Sequence, residues 1–384
     1  MKEQNYKMVA TTMSGLEEIL AEELNTLGAQ NIHILNRAVE FVGDLGFMYK
    51  ANLNLRTAIR ILKPIFEFKA RNEKELYRKI YDYDWEQYFG VDETFAIQSS
   101  GISDVFSHSK YTALKTKDAI ADKFRDNCGK RPNVDVESPN VQINVHVRGN
   151  SFVISLDSSG YSLHKRGYKV ASVDAPINEV LAAGLILLSD WNQISNFHDP
   201  MCGSGTILVE ASMIANNIPA NIFRKRFGFE GWKNFDNELW EKIRDISLEK
   251  EKEYYGVVSG ADNFQKPLRA CRSNINNALM RDDVKIKMED FFESTAEKGS
   301  HVVFNPPYGE RLRIGINEFY QKIGDTLKHN YKGCTVWLIS SDLENLKMIG
   351  LKPSRKIKIF NGKLECRFVR FDIYEGSKKA SKQI

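Results

Sequence analysis

No run of about twenty apolar residues occurs in this 384-residue chain, so a membrane-spanning helix is not expected. The first residues, Met1-Lys2-Glu3-Gln4-Asn5, carry no apolar signal region, and the two absences together lead us to expect a cytoplasmic protein. Cysteine is scarce and scattered. Cys128, Cys202, Cys271, Cys334 and Cys366 show no paired spacing, which leaves no readable zinc knuckle or disulfide framework. The seven histidines are equally dispersed, and none is read as a metal ligand. Charge of one sign is also in short supply. A formal net charge of +4, from 54 basic and 50 acidic side chains, permits a nucleic-acid partner without demanding one. The length leaves room for two or three domains and a sizeable core.

What the chain does hold is a glycine turn of unusual kind. Asp199-Pro200-Met201-Cys202-Gly203-Ser204-Gly205-Thr206 follows a short strand-like run, Ile194 to His198, and opens into the apolar helical stretch Ile207 to Ala215. Strand, glycine turn and helix bring a cofactor against backbone N–H groups at a helix start. No Gly-Lys-Ser/Thr follows, which excludes a phosphate-gripping loop. Leu208 stands where a dinucleotide fingerprint needs its third glycine. The turn therefore suits a small cofactor without a pyrophosphate.

Two acids follow at the ends of the next two expected strands. Tyr255 to Ser259 runs on through Gly260-Ala261 to Asp262, and Val284 to Met288 ends at Glu289-Asp290. In an open α/β sheet, ligands bind beyond the carboxyl ends of the strands. A carboxylate after the second strand can take both hydroxyls of a ribose, and one after the third an adenine amino group. Each alone also reads as a solvated loop charge.

Further on, the apolar run Val302-Val303-Phe304 empties into Asn305-Pro306-Pro307-Tyr308. Two prolines fix their own φ, bias the preceding residue toward an extended shape and donate no backbone hydrogen bonds. An amide, free carbonyls and a flat ring side by side can receive a planar molecule with an exocyclic amino group, such as a nucleobase. The competing reading is a rigid strand-ending turn with a packed tyrosine.

The ordered set of turn, ribose acid, adenine acid and Asn-Pro-Pro-Tyr resembles the class I S-adenosylmethionine-dependent amino-methyltransferases. Within them it looks most like the THUMP-domain RNA methyltransferases, specifically the bacterial 23S rRNA guanine-N2 methyltransferase family. The resemblance runs over nearly the whole chain. Arg166-Gly167-Tyr168, then Ala175 to Glu179 and Leu181 to Ala183, are similar to the family's lead-in helix, and Asn305 to Leu312 to its extended catalytic signature. The resemblance implies a methyl donor, S-adenosylmethionine, and an RNA partner, 23S rRNA or its precursor with tRNA as the alternative. It implies cofactor contacts from Glu179, Asp199, Pro200, Met201, Cys202, Gly203, Ser204, Gly205, Thr206, Asp262, Asp290 and Asn305. Asn305, Pro306, Pro307 and Tyr308 would be catalytic. Two departures are modest: Met201-Cys202 replaces the commoner aromatic before glycine, and Ala261 stands where many relatives carry a different residue. A DNA adenine or protein glutamine methyltransferase would share the tetrapeptide but not the front half of the chain. Some relatives carry a second methyltransferase behind the first; this chain ends at Ile384 after one, so a second activity is expected to need another protein.

The fold class implied is α/β: a Rossmann-like methyltransferase with a mostly parallel seven-stranded sheet and a C-terminal antiparallel hairpin, preceded by an α+β ferredoxin-like and THUMP region. The expected divisions are residues 1–66, 67–160 and 161–384. The hairpin rests on Asn361-Gly362, flanked by Arg355 to Phe360 and Lys363 to Tyr374, the strongest short signal for such a turn. Helices are expected at Leu45 to Asn54, Glu73 to Tyr81 and Lys110 to Arg125, and Lys63-Pro64 is expected to break any longer helix. In the family the THUMP region docks RNA. His108, Lys110, Lys115, Lys117, Lys123, Arg125, Lys130 and Arg131 are the candidate phosphate contacts here, although Asp118, Asp122 and Asp126 make a solvated mixed-charge face equally readable. An insertion, Pro219 to Trp240, offers Arg224, Lys225 and Arg226 beside Phe223, Phe227 and Trp232, either to stack on single-stranded RNA or to pack a lid.

Overall fold

The computed structural model describes residues 5–102, 106, 109–173, 176–307 and 315–375. The chain divides into two compact units. The first comprises Met1–Thr12, Ala21–Leu163 and Arg224–Ile246, the second Met13–Leu20, His164–Phe223 and Ser247–Ile384.

In the first unit, β1 (Tyr6–Thr11), α1 (Glu17–Leu27, from Ala21 onward in this unit), β2 (Gln30–Leu35), β3 (Ala38–Gly43), α2 (Leu45–Asn54) and β4 (Arg60–Lys69) come first. They are followed by α3 (Glu73–Tyr81), β5 (Phe95–Ile102), α4 (Ser109–Cys128), β6 (Val141–Arg148) and β7 (Ser151–Asp157). The strands form one sheet in the order β2-β3-β1-β4-β7-β6-β5. β4 joins its halves, antiparallel to β1 through Leu62↔Val9 and to β7 through Lys69↔Ser151. Its register shifts between Pro64 and Phe66, because a proline cannot donate to the ladder and is accommodated at a bulge. Lys63-Pro64 thus lies inside a strand rather than ending a helix. β4 also runs across the expected junction at 66/67, so the ferredoxin-like and THUMP parts share a sheet. β1, which the sequence reading did not pick out, is central: Met8 and Ala10 are fully buried.

From Arg224 onward the insertion belongs to this unit. Tyr49 of α2 lies against Phe229 and Trp240, with ring centroids 4.3 and 6.1 Å away, and Phe227 stacks on Phe229 at 5.2 Å. Such rings bury large areas and fix their mutual angle, and they bring residues 227–240 onto α2.

The second unit contains α5 (Glu179–Leu188), β8 (Phe197–Asp199) and α6 (Thr206–Ala215). After α7 (Asn237–Leu248), most of which lies in the first unit, come β9 (Val258–Asp262), α8 (Gln265–Asn277), β10 (Val284–Met288) and β11 (His301–Phe304). α9 (Ile316–Asn330), β12 (Thr335–Ser340), β13 (Arg355–Asn361) and β14 (Leu364–Asp372) complete it. The sheet order is β10-β9-β8-β11-β12-β14-β13. The first five strands are parallel, β14 is antiparallel to β12, and β13 is antiparallel to β14. Gly362, at φ +63°, makes the hairpin turn, a conformation that suits glycine. On one face Val302, Phe304, Val336, Leu338 and Val369 pack with Phe319, Ile323 and Leu327 of α9. Among the described residues no helix is long and apolar enough to cross a membrane.

Every residue of α6 is buried, so its one acid, Glu210, needs partners inside. Arg166 Nε donates to Glu210 Oε1 at 3.3 Å and Tyr168 Oη donates to the same oxygen at 3.0 Å. Arg166 also donates to Asn221 Oδ1 at 3.2 Å. Arg166 and Glu210 are both fully buried, so Glu210→Ala leaves a buried guanidinium without its carboxylate. We expect a loss of about 3–5 kcal/mol, read from chemical denaturation midpoints against wild type.

Candidate active site

Register assembles the site. Asp199, the last residue of β8, lies opposite Gly260 of β9, and Asp262, the last of β9, lies opposite Met288 of β10. Val302 of β11 lies opposite His198, so Asn305 leaves the sheet one strand over from Asp199. Adjacent strands stand about 4.8 Å apart, so the chosen acids and Asn305 collect along one edge of the sheet, at the carboxyl ends. Each acid sits about two residues further out than the last.

The glycine turn is tied into that edge by its backbone. Met201 N donates to Asp199 Oδ1 at 3.0 Å and Gly203 N to Asp262 Oδ2 at 3.1 Å. Cys202 N reaches Ala261 O at 2.8 Å. Gly203 and Gly205 have φ of +54° and +80°, the left-handed region that glycine enters freely. A Cβ on Gly205 would meet Cys271 Sγ at 2.5 Å, whereas one on Gly203 would find, among the described residues, only Val173, 4.0 Å away. The turn is therefore packed behind and open in front. Thr206 begins α6. Ser204 and Cys202 are buried, and Pro200 and Met201 lie between β8 and the glycines. A hydrogen bond with Cys271, then burial, pushes the Cys202 thiol well up.

Burial governs the acids. It pushes the Asp199 carboxyl up to about 8, against the Met201 N–H and with the help of the Asp262 charge. It raises Asp262 as well, against the N–H groups of Phe264 and Gly203. Asp290 accepts from Phe292 N at 2.9 Å through Oδ1. Glu179 is the first residue of α5, where the helix dipole favours an anion, and its Oε1 lies 3.1 Å from Lys169 Nζ. Asn305 is half-buried behind the fully buried Phe304, and Pro306 is buried. Tyr308 lies outside the described residues, as does His108.

The basic candidates fare differently. Arg224 is a correction: it is buried, donates to the carbonyls of Ser159, Tyr161 and Ser162 at 3.0, 3.0 and 3.1 Å, and lies 3.7 Å over the Tyr161 ring. Its guanidinium is fixed inside the first unit and is no surface contact for RNA. Phe227 and Trp232 are buried too, so these two rings pack rather than presenting a stacking face, while Phe223 is half-buried. Arg226 is half-buried and Lys225 exposed. On α4, Lys115 pairs with Glu73, Lys117 with Asp118, and Arg125 with Asp122 and Asp126. Arg131 pairs with Asp122, and Lys123 lies 5.2 Å over the Tyr81 ring. Lys110 and Lys130 are exposed, with no ion pair among the described residues.

Several residues of this edge were missed. Asn274 of α8 donates to Ser204 O at 2.9 Å, and Lys169 and Cys271 line the same turn and lead-in. The available signal was an amide, Asn274, in the apolar stripe Leu268, Cys271, Ile275 and Ala278. A cavity of about 370 Å3 in the first unit, beside Phe47, Lys50 and Ile243, contains none of the sequence-selected residues.

A glycine turn laid across buried strand-end acids, on a parallel sheet closed by an antiparallel hairpin, defines a class I methyltransferase, with S-adenosylmethionine as the methyl donor. The open front of Gly203 and the strand-end carboxylates fit that cofactor. The chain belongs to the RMKL-like methyltransferase family, whose profile matches residues 166–370, with a THUMP domain at 70–157 and an RlmL ferredoxin-like domain at 7–62. It is 36% identical over 370 residues to a Synechocystis sp. protein named as a candidate RNA methyltransferase, covering 95% of this chain and 96% of that one. It is 37% identical over 377 residues to the ribosomal RNA large subunit methyltransferase K/L of Methylococcus capsulatus. That match covers 95% of this chain but spans 51% of the K/L protein's length. A crystal structure described as a candidate methyltransferase complexed with S-adenosylhomocysteine is similar at TM-score 0.87 and 30% identity, covering 98% of this chain and 100% of that one.

The raised Asp199 carboxyl has a measurable consequence. The fold favours its protonated form, so its contribution to stability is complete below about pH 4 and is lost as pH rises through about 8. Denaturation of ligand-free protein across that window should show wild type losing up to about 1.4 kcal/mol per pH unit relative to Asp199→Asn. Parallel pH profiles for the two proteins would refute this.

Proposed function

We propose that this protein transfers a methyl group to the exocyclic N2 amino group of a guanosine in 23S rRNA. The observation that carries the reading is Asn305, set one strand over from Asp199 just beyond the end of β11 and followed by two prolines outside the sheet. The K/L relatives' name and the THUMP domain support an RNA substrate from the large ribosomal subunit.

The cofactor supplies an electrophilic methyl on a sulfonium, so the remaining task is to present the nucleophile. The lone pair of a guanine amino group is delocalised into the ring. Asn305 Oδ1 and the Pro306 carbonyl accept from that NH2, aim its nitrogen and stabilise the positive charge that grows on it. Nitrogen bonds to the methyl carbon as the carbon–sulfur bond breaks, its electron pair leaving with sulfur. The amino proton then passes to water, since an asparagine cannot take it. Tyr308 stacks on a base that is flipped or already unpaired. Asp262 takes the ribose hydroxyls, Asp290 the adenine amino group, and Glu179, Asp199 and the turn from Pro200 to Thr206 shape the methionine side.

For docking, Lys110 and Lys130 are the lysines of the THUMP region that we assign to phosphates. They stand at the two ends of α4, about 30 Å apart. The exposed ion pairs between them are worth little and can exchange a carboxylate for a phosphate. Lys110→Glu with Lys130→Glu should weaken RNA binding and lower the slope of log affinity against log salt by about 1–2, leaving S-adenosylhomocysteine affinity unchanged.

The deciding assay supplies labelled S-adenosylmethionine with 23S rRNA or tRNA from a strain lacking the gene, then identifies the labelled nucleoside. N2-methylguanosine from 23S rRNA is the expected product. The same product from tRNA alone would overturn the substrate, and N6-methyladenosine the acceptor. Asn305→Ala should lower kcat by at least about 100-fold with little change in cofactor affinity. Unaltered turnover would remove Asn305 from the mechanism.

A further inference from the structure

One buried side chain reaches both the glycine turn and the lead-in to α5. Asn274 of α8 is fully buried. Its Nδ2 donates to Ser204 O at 2.9 Å and to Ala171 O at 2.8 Å. Its Oδ1 accepts from Val170 N at 2.9 Å and Ala171 N at 3.0 Å. Two donors and two lone pairs are the whole capacity of a primary amide, and all four are used. One turn on, Asn277 Nδ2 donates to Gly167 O at 3.2 Å and Tyr168 O at 3.0 Å. Residues three apart share a helix face, so α8 holds the strap from Gly167 to Ala171 with two amides.

The strap in turn carries Lys169, whose Nζ lies 3.1 Å from Glu179 Oε1 and donates to Ile177 O at 3.2 Å. The turn is braced by the same helix at a second point, Cys271, against which Gly205 packs without room for a Cβ. We infer that Asn274 is a positioning residue for the cofactor pocket, locking the glycine turn to the strap that sets Glu179. The inference rests on reading Gly203 to Thr206 and Glu179 as walls of that pocket.

Chemistry explains why the position needs asparagine. Aspartate has the same shape but would set a carboxylate oxygen against the carbonyls of Ser204 and Ala171. Glutamine adds a methylene where there is no solvent to receive it. Alanine strands two carbonyls and two N–H groups in a dry site, and both walls loosen together. Asn277→Ala frees the strap at Gly167 and Tyr168 but leaves Ser204 held.

The test measures S-adenosylhomocysteine binding by calorimetry and 23S rRNA binding by filter retention, on the full chain. For Asn274→Ala we expect the S-adenosylhomocysteine Kd to rise by about tenfold or more, with RNA affinity within about twofold of wild type. The KM for S-adenosylmethionine should rise by a similar factor while kcat changes little. Asn277→Ala should give a smaller rise. A folded Asn274→Ala protein that weakens both ligands together overturns the inference. Asn274→Asp, which keeps the shape and one side of the bonding, replaces the alanine variant if the latter does not fold. Wild-type S-adenosylhomocysteine affinity in Asn274→Asp would also overturn it. Asp262→Ala separates this from the underlying site assignment. If Asp262→Ala binds the cofactor product normally, the site itself is misplaced. If it loses binding while the Asn274 variants keep theirs, Asn274 alone is excluded.

Discussion

The parallel register of β11, β8, β9 and β10 is the constraint from which the site follows. Asp199 lies opposite Gly260, two residues short of Asp262, and Asp262 lies opposite Met288, two residues short of Asp290. The result is a staircase of carboxylates. Depth on that staircase sets their chemistry, because water is lost step by step. Asp199 is buried at the bottom and keeps its proton toward neutral pH. Asp262, one step out, is desolvated less completely and already accepts two N–H groups.

A turn lying across such acids must be held, and here backbone does most of the holding. The N–H groups of Met201 and Gly203 point into the carboxylates below them. The left-handed glycines allow that path, and α8 closes the rear so tightly that Gly205 has no room for a Cβ. Rigidity behind and open space in front is what pre-organisation requires of a binding turn. The turn is thus held from two directions, the sheet edge and one helix face.

The first unit is organised by β4, which belongs to both halves of its sheet. The bulge at Pro64 lets one strand serve two partners on slightly different registers. Its surface helix α4 is a mixed field in which most cations already face a carboxylate. Such a face has little net potential, and it grips a polyanion only by trading one partner for another. The insertion illustrates a different outcome for basic and aromatic residues. Arg224, Phe227 and Trp232 look like an RNA grip in one dimension, yet Phe227 stacks on Phe229, Trp232 is buried, and the guanidinium lies over Tyr161 and finds three backbone carbonyls.

The second unit was largely legible from local pattern. The alternating run Val284 to Met288 pointed to β10 and the apolar run Val302 to Phe304 to β11, the Asn361-Gly362 turn pointed to the hairpin, and alternation with helices implied a parallel sheet. β1 escaped notice because six residues with partial alternation carry little signal, and β4 because a proline argued against a strand. The motif residues were legible for a physical reason: φ above zero, a missing N–H and a strand-end acid are properties of single residues and their immediate neighbours. What only the tertiary structure decided is which distant groups share a dry space. Glu210 with Arg166, Cys271 behind Gly205, and Asn274 across Ser204 and Ala171 are pairings at long separation in the chain. The same holds for the loss of Arg224 to the interior. Burial, and with it the strength of a charge or an amide bond, depends on what packs around a group, and that is set by the whole fold.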